Sequence, residues 1–439
     1  MNPNDAGGWN RLGLIALRQH AFCRAQRYLR RAIGCAPGML EAHVNLGLVL
    51  TYQGQFDEAV QILQSMAGAY PRHPALPTNI GLAYMLGGRP QQALPYLRQA
   101  VALAPDDARL SFNLACALLA LGQWEEGWQW YETRLKMPAL VSEPRAMPMW
   151  RGESLENKRL LLSAEQGFGD TLQFMRYVPV LAKRGAQIYL SVPPPLVRLA
   201  RTLEGVHEVI TPACSALALD LHCPLPSVPQ RLGVRVEEVA GRNHRYLRPE
   251  QTDIDTWGAR LNTRAGKKLR VGLVWHGSAR GDSHDVDLIL TDKRRSLSLA
   301  QFAPLATVAG VMFVSLQKRT SSDAPEAGAE MFGANWFDPM EEMKDFSDTA
   351  AVIDHLDLVI SVDTAVAHLA GALNRPVWLL SRLDGCWRWL LEREDSVWYG
   401  SMRVFRQQKY GDWTALIERI AAMLKAWVRE SSLRTRTKS

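Results

Sequence analysis

The chain has 439 residues, 47% of them hydrophobic and 22% charged, enough to fill the cores of two to four domains. Its formal net charge of +7 is spread along the chain, which argues against a nucleic-acid-binding protein. No apolar run approaches the roughly 18 residues needed to span a bilayer. The N-terminus lacks the pattern of a secretory signal, so we expect a cytoplasmic protein without a transmembrane segment.

The first 135 residues repeat with a period of 34 residues. Five registers share this period: Pro37, Pro71 and Pro105; Gly13, Gly47, Gly81 and Ala115; Ala25, Ala59, Ala93 and Gly127; Leu12, Leu46, Ile80 and Leu114; Leu29, Leu63, Leu97 and Tyr131. The pattern resembles tetratricopeptide repeats, with Trp9-x-x-Leu12-Gly13 opening the first. It predicts an α-solenoid of about four repeats over residues 1–135. Small residues would lie where paired helices cross, and large apolar ones would fill the seams.

A repeat array carries no chemistry of its own, and two interpretations stay open for this one. It forms a binding groove for a peptide or protein partner, or it is a platform for dimerisation or docking. Trp124 and Trp128 share a helix face in the last repeat. We interpret them as packing against whatever follows the array.

The remainder of the chain alternates strands and helices in two blocks. Residues 136–157 read as a proline-containing linker, 158–250 as a first Rossmann-like half, 251–430 as a second with a closing helix, and 431–439 as a basic tail. The predicted class is therefore α + α/β, with two nucleotide-fold halves facing a cleft that is the expected active site.

In the first half, a glycine-containing loop joins the strand Arg159–Ser163 to a helix predicted over Asp170–Lys183. The loop reads Gln166-Gly167-Phe168-Gly169-Asp170, without the full G-x-G-x-x-G spacing and without a P-loop lysine. Asp170 is a candidate general base that would take the proton of an attacking hydroxyl. The competing interpretation is a helix cap, because Asp170-x-x-Gln173 also resembles a capping box. A further short strand is predicted at Leu217–Leu221.

In the second half, a strand at Leu269–Trp275 is followed by His276-Gly277-Ser278, and the next predicted loop holds Lys293-Arg294-Arg295. A hydroxyl and a cation at the carboxyl edge of a parallel sheet suit a diphosphate. The alternative is a solvated basic loop. A closing helix is predicted over Trp413–Val428.

The most informative segment runs from Leu356 to Trp378. It predicts a buried strand, a polar break at Asp363–Thr364, a helix from Ala365 closed by Asn374, and a further strand. Asp363, Thr364 and His368 would cluster at the helix N-terminus, where free N–H groups favour anions. The alternative is a simple cap with a packed histidine.

Four motifs together resemble a known enzyme family: Gly167-Phe168-Gly169-Asp170; Gly272-Leu273-Val274-Trp275; Phe313-Val314-Ser315-Leu316-Gln317; and Ser361-Val362-Asp363-Thr364-Ala365-Val366-Ala367-His368-Leu369-Ala370. The chain resembles bacterial tetratricopeptide-repeat proteins with a GT-B domain similar to the heptosyltransferases of glycosyltransferase family 9. The resemblance implies an inverting enzyme that needs no bound metal.

The resemblance also implies roles for individual residues. Asp170 would be the general base, and the donor diphosphate would be bound by Gly169, Ser278, Arg295, Asp363, Thr364, Ala365 and His368. The chain departs from the family at Ala365, where the heptosyltransferases have glycine, and at Arg295, where they typically have lysine. No acidic residue follows Gln317 in the place that the family uses near the donor ribose.

These observations predict a transferase that moves a sugar from a nucleotide-diphosphate donor to an acceptor glycan or protein. The repeats would recruit the acceptor or a protein partner. No cofactor or metal is expected beyond the nucleotide sugar, and the six cysteines, which include no C-x-x-C pair, read as reduced thiols. Two alternatives stay open: a catalytically degenerate repeat scaffold, and a UDP-sugar-dependent protein O-glycosyltransferase.

Overall fold

A computed structural model describes residues 3–137, 147–211, 218–239, 244–277, 286–319 and 327–436, with side chains to residue 431. The chain divides into two compact units. The first contains the described residues up to 137 together with Leu383–Leu391, and the second contains the rest. No described helix has both the length and the apolar character needed to cross a membrane.

Eight helices of the first unit form four antiparallel pairs, which confirms the predicted repeat array. They are α1 (Ala6–Arg18), α2 (Phe22–Cys35), α3 (Leu40–Tyr52), α4 (Phe56–Ser65), α5 (Ala75–Leu86), α6 (Pro90–Leu103), α7 (Ala108–Ala120) and α8 (Trp124–Tyr131), followed by a 3-10 turn at Glu132–Lys136. The second helix of each pair also packs against the first helix of the next pair, so the apolar core is continuous along the stack.

The conserved period of small residues has a steric cause in the structure. A Cβ atom added at Gly47 would lie 2.7 Å from Leu63 Cγ, and Gly13 and Gly81 face Leu29 and Leu97 in the same way. In the fourth pair the arrangement is reversed, because Gly127 on the second helix receives a leucine of the first helix. Each pair thus has one place where only a hydrogen atom fits.

The second unit contains two parallel sheets that correspond to the two predicted halves. The first has the order β3-β2-β1-β4 and the second the order β10-β9-β8-β5-β6-β7. The strands are β1 (Arg159–Ser163), β2 (Gln187–Ser191), β3 (Val206–Ile210), β4 (Leu221–Pro224), β5 (Leu269–Val274), β6 (Val311–Ser315), β7 (Trp336–Phe337), β8 (Leu358–Val362), β9 (Val377–Ser381) and β10 (Met402–Arg406). Strands β5, β6 and β8 are buried on both faces, as expected for a parallel sheet covered by helices.

The helices of this unit connect the strands. They are α9 (Phe168–Phe174), α10 (Val178–Ala182), α11 (Val197–Arg201), α12 (Val228–Leu232), α13 (Val236–Val239), α14 (Gln251–Ala265), α15 (Val286–Arg295), α16 (Ala303–Ala306), α17 (Ala327–Phe332), α18 (Phe346–Asp354), α19 (Ala365–Ala372) and α20 (Thr414–Arg436). Short 3-10 turns occur at Met175–Tyr177, Pro194–Leu196, Leu225–Ser227, Leu299–Phe302, Gly333–Asn335 and, in the first unit, Trp387–Trp389.

Four sequence-based boundaries were wrong. The helix predicted over Asp170–Lys183 is α9, a 3-10 turn and α10, because Pro179 cannot donate a helical hydrogen bond. The strand predicted at Leu217–Leu221 is β4, which begins at Leu221. The basic stretch ending at Arg295 is the last turn of α15 and not a loop. Helix α20 extends to Arg436, into the segment predicted as a tail.

The crossing of α3 and α4 provides a test of the repeat packing. Gly47→Ala should lower the free energy of unfolding by about 1–3 kcal/mol, because its Cβ would overlap the buried Leu63 side chain. Gly34→Ala is the matched control, since a Cβ there meets nothing within 4 Å and the change should stabilise α2 by about 0.5–1 kcal/mol. Urea unfolding followed by circular dichroism measures both, and equal effects would contradict the steric account.

Candidate functional site

Three connections meet the predicted site from the carboxyl ends of strands. Helix α9 follows β1, helix α19 follows β8, and residues 275–277 follow β5. In parallel sheets these ends share one edge, where helix N-termini point at a ligand. The second unit therefore presents the expected residues on the edges of its two sheets.

The two halves touch where α9 packs against α19. A Cβ atom added at Gly169 would lie 2.9 Å from His368 Cδ2, 3.4 Å from His368 Nε2 and 3.6 Å from Ala365 Cα. Three of the predicted site residues are thus in contact across the halves. Gly169 is needed here for close packing, because any larger residue would push the two helices apart.

His368 is a packed side chain, as the more conservative interpretation expected. It is 5% exposed, and its Nδ1 lies 3.0 Å from the hydroxyl oxygen of Tyr399. Tyr399 in turn packs against Gly371 on the next turn of α19, where a Cβ would lie 2.5 Å from the ring. The imidazole is therefore oriented by the tyrosine on one side and by Gly169 on the other.

Asp170 lies in the first turn of α9, one residue beyond the contact with His368. The Gly167 N–H donates to Asp170 Oδ2 at 3.0 Å, so Gly167 is the N-cap and the aspartate reaches back to it. The capping interpretation was thus correct in kind, but the helix begins earlier than the box at Asp170 and Gln173 implied. A carboxylate has two oxygens and about four acceptor positions, so this cap leaves capacity for a proton.

A guanidinium joins the other two connections. Arg295 donates from Nη1 to the Asp363 carbonyl at 3.2 Å, and from Nε and Nη2 to Asp292 Oδ1 at 3.0 and 2.8 Å. It also covers Gly277, where an added Cβ would lie 2.3 Å from Nη2. The structure thus brings Arg295 and Asp363 together, and fixes the cation with a carboxylate partner.

The N-terminus of α19 is open in the way that anion binding requires. Thr364 makes no capping hydrogen bond with its side chain, and its Oγ1 instead lies 3.1 Å from Ser361 Oγ. The first N–H groups of an α-helix have no partner within the helix and carry its positive dipole end. Thr364 therefore does not cap the helix, which contradicts the simple-cap interpretation of this segment.

Sequence reasoning missed four residues of this region. Gln317 Oε1 accepts from the Trp275 and His276 N–H groups at 3.1 and 3.0 Å, so it ties the end of β6 to the end of β5. Asp292 and Tyr399 hold Arg295 and His368 respectively. Only Asp292 carried a visible signal, its i,i+3 spacing from Arg295 on one helix.

One predicted residue, Ser278, lies outside the described residues. The described part of the chain contains no group of three or more His, Cys, Asp or Glu side chains that could hold a metal ion.

The contact between Gly169 and His368 predicts a mutational coupling. Gly169→Ala should destabilise the protein by about 1–3 kcal/mol, because the new methyl group overlaps a buried ring. In a His368→Ala background the same change should cost much less, since the ring has been removed. A double-mutant cycle on urea unfolding midpoints measures this, and strictly additive effects would show that the contact does not limit the approach of the helices.

Comparison with known proteins identifies both parts of the chain. A model of the tetratricopeptide repeat matches residues 2–74 and another matches residues 84–134. A model described as glycosyltransferase family 9 (heptosyltransferase) matches residues 343–380, which include β8, α19 and β9.

A curated relative and several solved structures are also similar. Protein FlbA of Caulobacter vibrioides is 28% identical over 336 residues, covering 70% of this chain and 53% of FlbA, so the chain spans about half the length of this relative. The structure of MamA 41-end from Desulfovibrio magneticus RS-1 is 18% identical over 31% of this chain and 77% of its own, with a TM-score of 0.29. YrrB, a TPR protein with an unusual peptide-binding site, is 20% identical over 31% and 71%, with a TM-score of 0.28.

A family 9 domain implies glycosyl transfer. The chain therefore carries N-terminal tetratricopeptide repeats followed by a glycosyltransferase family 9 domain.

Proposed function

We propose that the family 9 domain transfers a sugar from a nucleotide-diphosphate donor to an acceptor hydroxyl, with inversion and without a metal ion. The observation that carries this proposal is the contact of Gly169 with His368 and Ala365. It places a carboxylate on one half within one residue of the junction, beside a helix N-terminus of the other half that favours anions.

Asp170 is the proposed general base. The acceptor hydroxyl gives its proton to the carboxylate as its oxygen attacks the anomeric carbon. The bond from that carbon to the diphosphate oxygen breaks in the same displacement, so the electron pair leaves with the diphosphate and the configuration inverts. The cap from the Gly167 N–H holds one carboxylate oxygen in place and so orients the other.

The leaving diphosphate is the proposed ligand of α19 and Arg295. Negative charge develops on this group during transfer, and prearranged N–H donors stabilise it without reorganisation. A guanidinium has five N–H donors, of which the contacts with Asp292 and Asp363 use three. The remaining two suit phosphate oxygens, and Asp363 and Thr364 shape the turn that presents the helix.

His368 is assigned a positioning role in this proposal. It is buried and hydrogen-bonded to Tyr399, so it fixes the height at which α9 meets α19. The repeat array is assigned the recruitment of an acceptor or protein partner, because its stacked helices supply a large surface without chemistry of their own.

The role of Asp170 is tested by Asp170→Asn. The amide keeps the size and can still accept from the Gly167 N–H, but it cannot take a proton. Turnover should fall by about a hundredfold or more while donor affinity stays within about twofold. Donor affinity by calorimetry is the control for folding, and an unchanged rate would remove Asp170 from the mechanism.

The nucleotide is tested by a thermal-shift panel of ADP-, UDP-, GDP- and dTDP-sugars with the matching diphosphates. Specific binding should raise the melting temperature, with a larger effect as ligand concentration exceeds the dissociation constant. Arg295→Gln should weaken the effective ligand about tenfold or more, because one charge-assisted contact is lost. A panel without any shift would favour the degenerate scaffold, and a preference for UDP-sugars with transfer to protein would favour O-glycosylation.

A further inference from the structure

The connection between β9 and β10 leaves the sheet, joins the repeat array and returns. Of its residues 382–401, the segment Leu383–Leu391 belongs to the first compact unit, whereas the flanking residues belong to the second. We call Leu383–Leu391 the cap segment. Nine residues of the transferase chain are therefore part of the repeat unit.

Aromatic packing fixes the cap segment in that unit. Trp387 is 6% exposed, and its ring meets Trp128 edge-on at 5.4 Å and Tyr131 at 5.8 Å between centroids. The Arg388 guanidinium covers the same indole at 4.2 Å. Such edge-on and cation–π contacts stabilise beyond the apolar area that they bury. The prediction that Trp128 packs against a later segment is confirmed.

The cap segment occupies the place of a fifth repeat. In the first three pairs, each second helix packs against the first helix of the next pair. Tyr131 stands in the register of Leu29, Leu63 and Leu97, which fill those seams, and here the following element is the turn Trp387–Trp389. Solenoids need a terminal cap over the apolar face of the last repeat.

The exit from the cap segment is strained. Leu390 has φ +50° and Glu392 has φ +54°, in the left-handed region that side-chain-bearing residues rarely adopt. Such conformations persist only where the surroundings enforce them. The return path is therefore held under constraint by what lies on either side of it.

Both flanks of the cap segment reach residues of the proposed site. Before it, Arg382 Nη1 donates to the Thr291 carbonyl at 3.2 Å, one turn before Arg295 on α15. After it, the Trp398 carbonyl accepts from Arg176 Nη2 at 2.8 Å, and Tyr399 orients His368. One continuous stretch of chain thus caps the repeats and supports both the cation and the junction.

We propose that the cap segment is a positioning element that links order in the last repeat to occupancy of the donor cradle. The inference rests on the proposed function, because the linked ligand is the donor diphosphate. A ligand that orders α19 and Arg295 restrains Tyr399 and Arg382, and through them the segment that covers α7 and α8. By reciprocity, anything that loosens the cap weakens donor binding by the same factor.

Hydrogen exchange on the full chain tests the linkage with ADP, UDP, GDP and dTDP in turn. The nucleotide that protects the amides of α19 should also slow exchange in α7 and α8 by about threefold or more, within the range of typical coupling. Protection of α19 without change in α7 and α8 would overturn the linkage and leave donor binding intact. An absence of protection at α19 with every nucleotide would overturn the donor site, and the linkage with it.

Variants of Trp387 separate the cap from general folding. Trp387→Ala should speed exchange in α7 and α8, abolish their response to nucleotide and raise the donor KM with little change in kcat. Trp387→Phe keeps an aromatic ring and should largely restore all three. Trp9→Ala, in the first repeat, is the matched control and should leave the nucleotide response of α7 and α8 unchanged. A normal response in Trp387→Ala would contradict the proposal.

Cysteine labelling and a second variant guard against misfolding of Trp387→Ala. Burial raises the pKa of the Cys116 thiol on α7 to about 12, so iodoacetamide should react slowly there at about pH 8. Loss of the cap should accelerate this alkylation several-fold in a protein that retains its helical circular dichroism. Glu392→Gly relieves the strain at an exposed position, and should reduce the transmitted protection without lowering the melting temperature; full transmission would count against the constrained exit.

Discussion

The contact between α9 and α19 depends on the hydrogen atom that Gly169 carries in place of a side chain. Because nothing projects from that residue, the buried His368 ring can lie against the backbone of the opposite half. The approach brings a carboxylate-bearing turn and an uncapped helix N-terminus to one place. Every later statement about chemistry in this protein requires those two features to be neighbours.

The α9 segment is held at several points, which explains how a short helix can be a precise mount. Its Leu172 carbonyl accepts from the Tyr246 hydroxyl at 2.8 Å, while the Tyr246 N–H donates to Ala372 at the end of α19. Arg176, just beyond α9, lies over the rings of Tyr246, Trp398 and Tyr399 at 4.8–5.2 Å. Farther away, Arg198 pairs with Asp253, Asp345 and Asp348; burial alone would lower its pKa, but these carboxylates raise it. Such redundancy preorganises the junction.

The features visible in the sequence were those governed by local periodicity. A 34-residue period indicates stacked helix pairs, and a buried strand followed by a polar break and a helix indicates a ligand edge; Asn374, with φ +55°, does end α19 as expected. The partners of the site residues were not visible, because they come from distant parts of the chain. Tyr399 lies 31 residues after His368, and Gln317 lies 42 residues after Trp275. The cap segment was hidden for the same reason: a repeat unit completed by residues more than 250 positions later leaves no periodic signal.

The pairing of Arg295 with Asp292 decides what kind of anion site this edge can be. The carboxylate offsets most of the cation's charge at long range, so the cradle offers little general attraction for anions. What remains is directional: helix N–H groups with fixed vectors and two guanidinium donors whose plane Asp292 sets. A site of this kind favours a ligand with several oxygens at fixed separations over a simple ion, because only the former engages all the donors together. The modest net charge of the protein is thus compatible with a phosphate-binding edge, and selectivity would come from geometry more than from field strength.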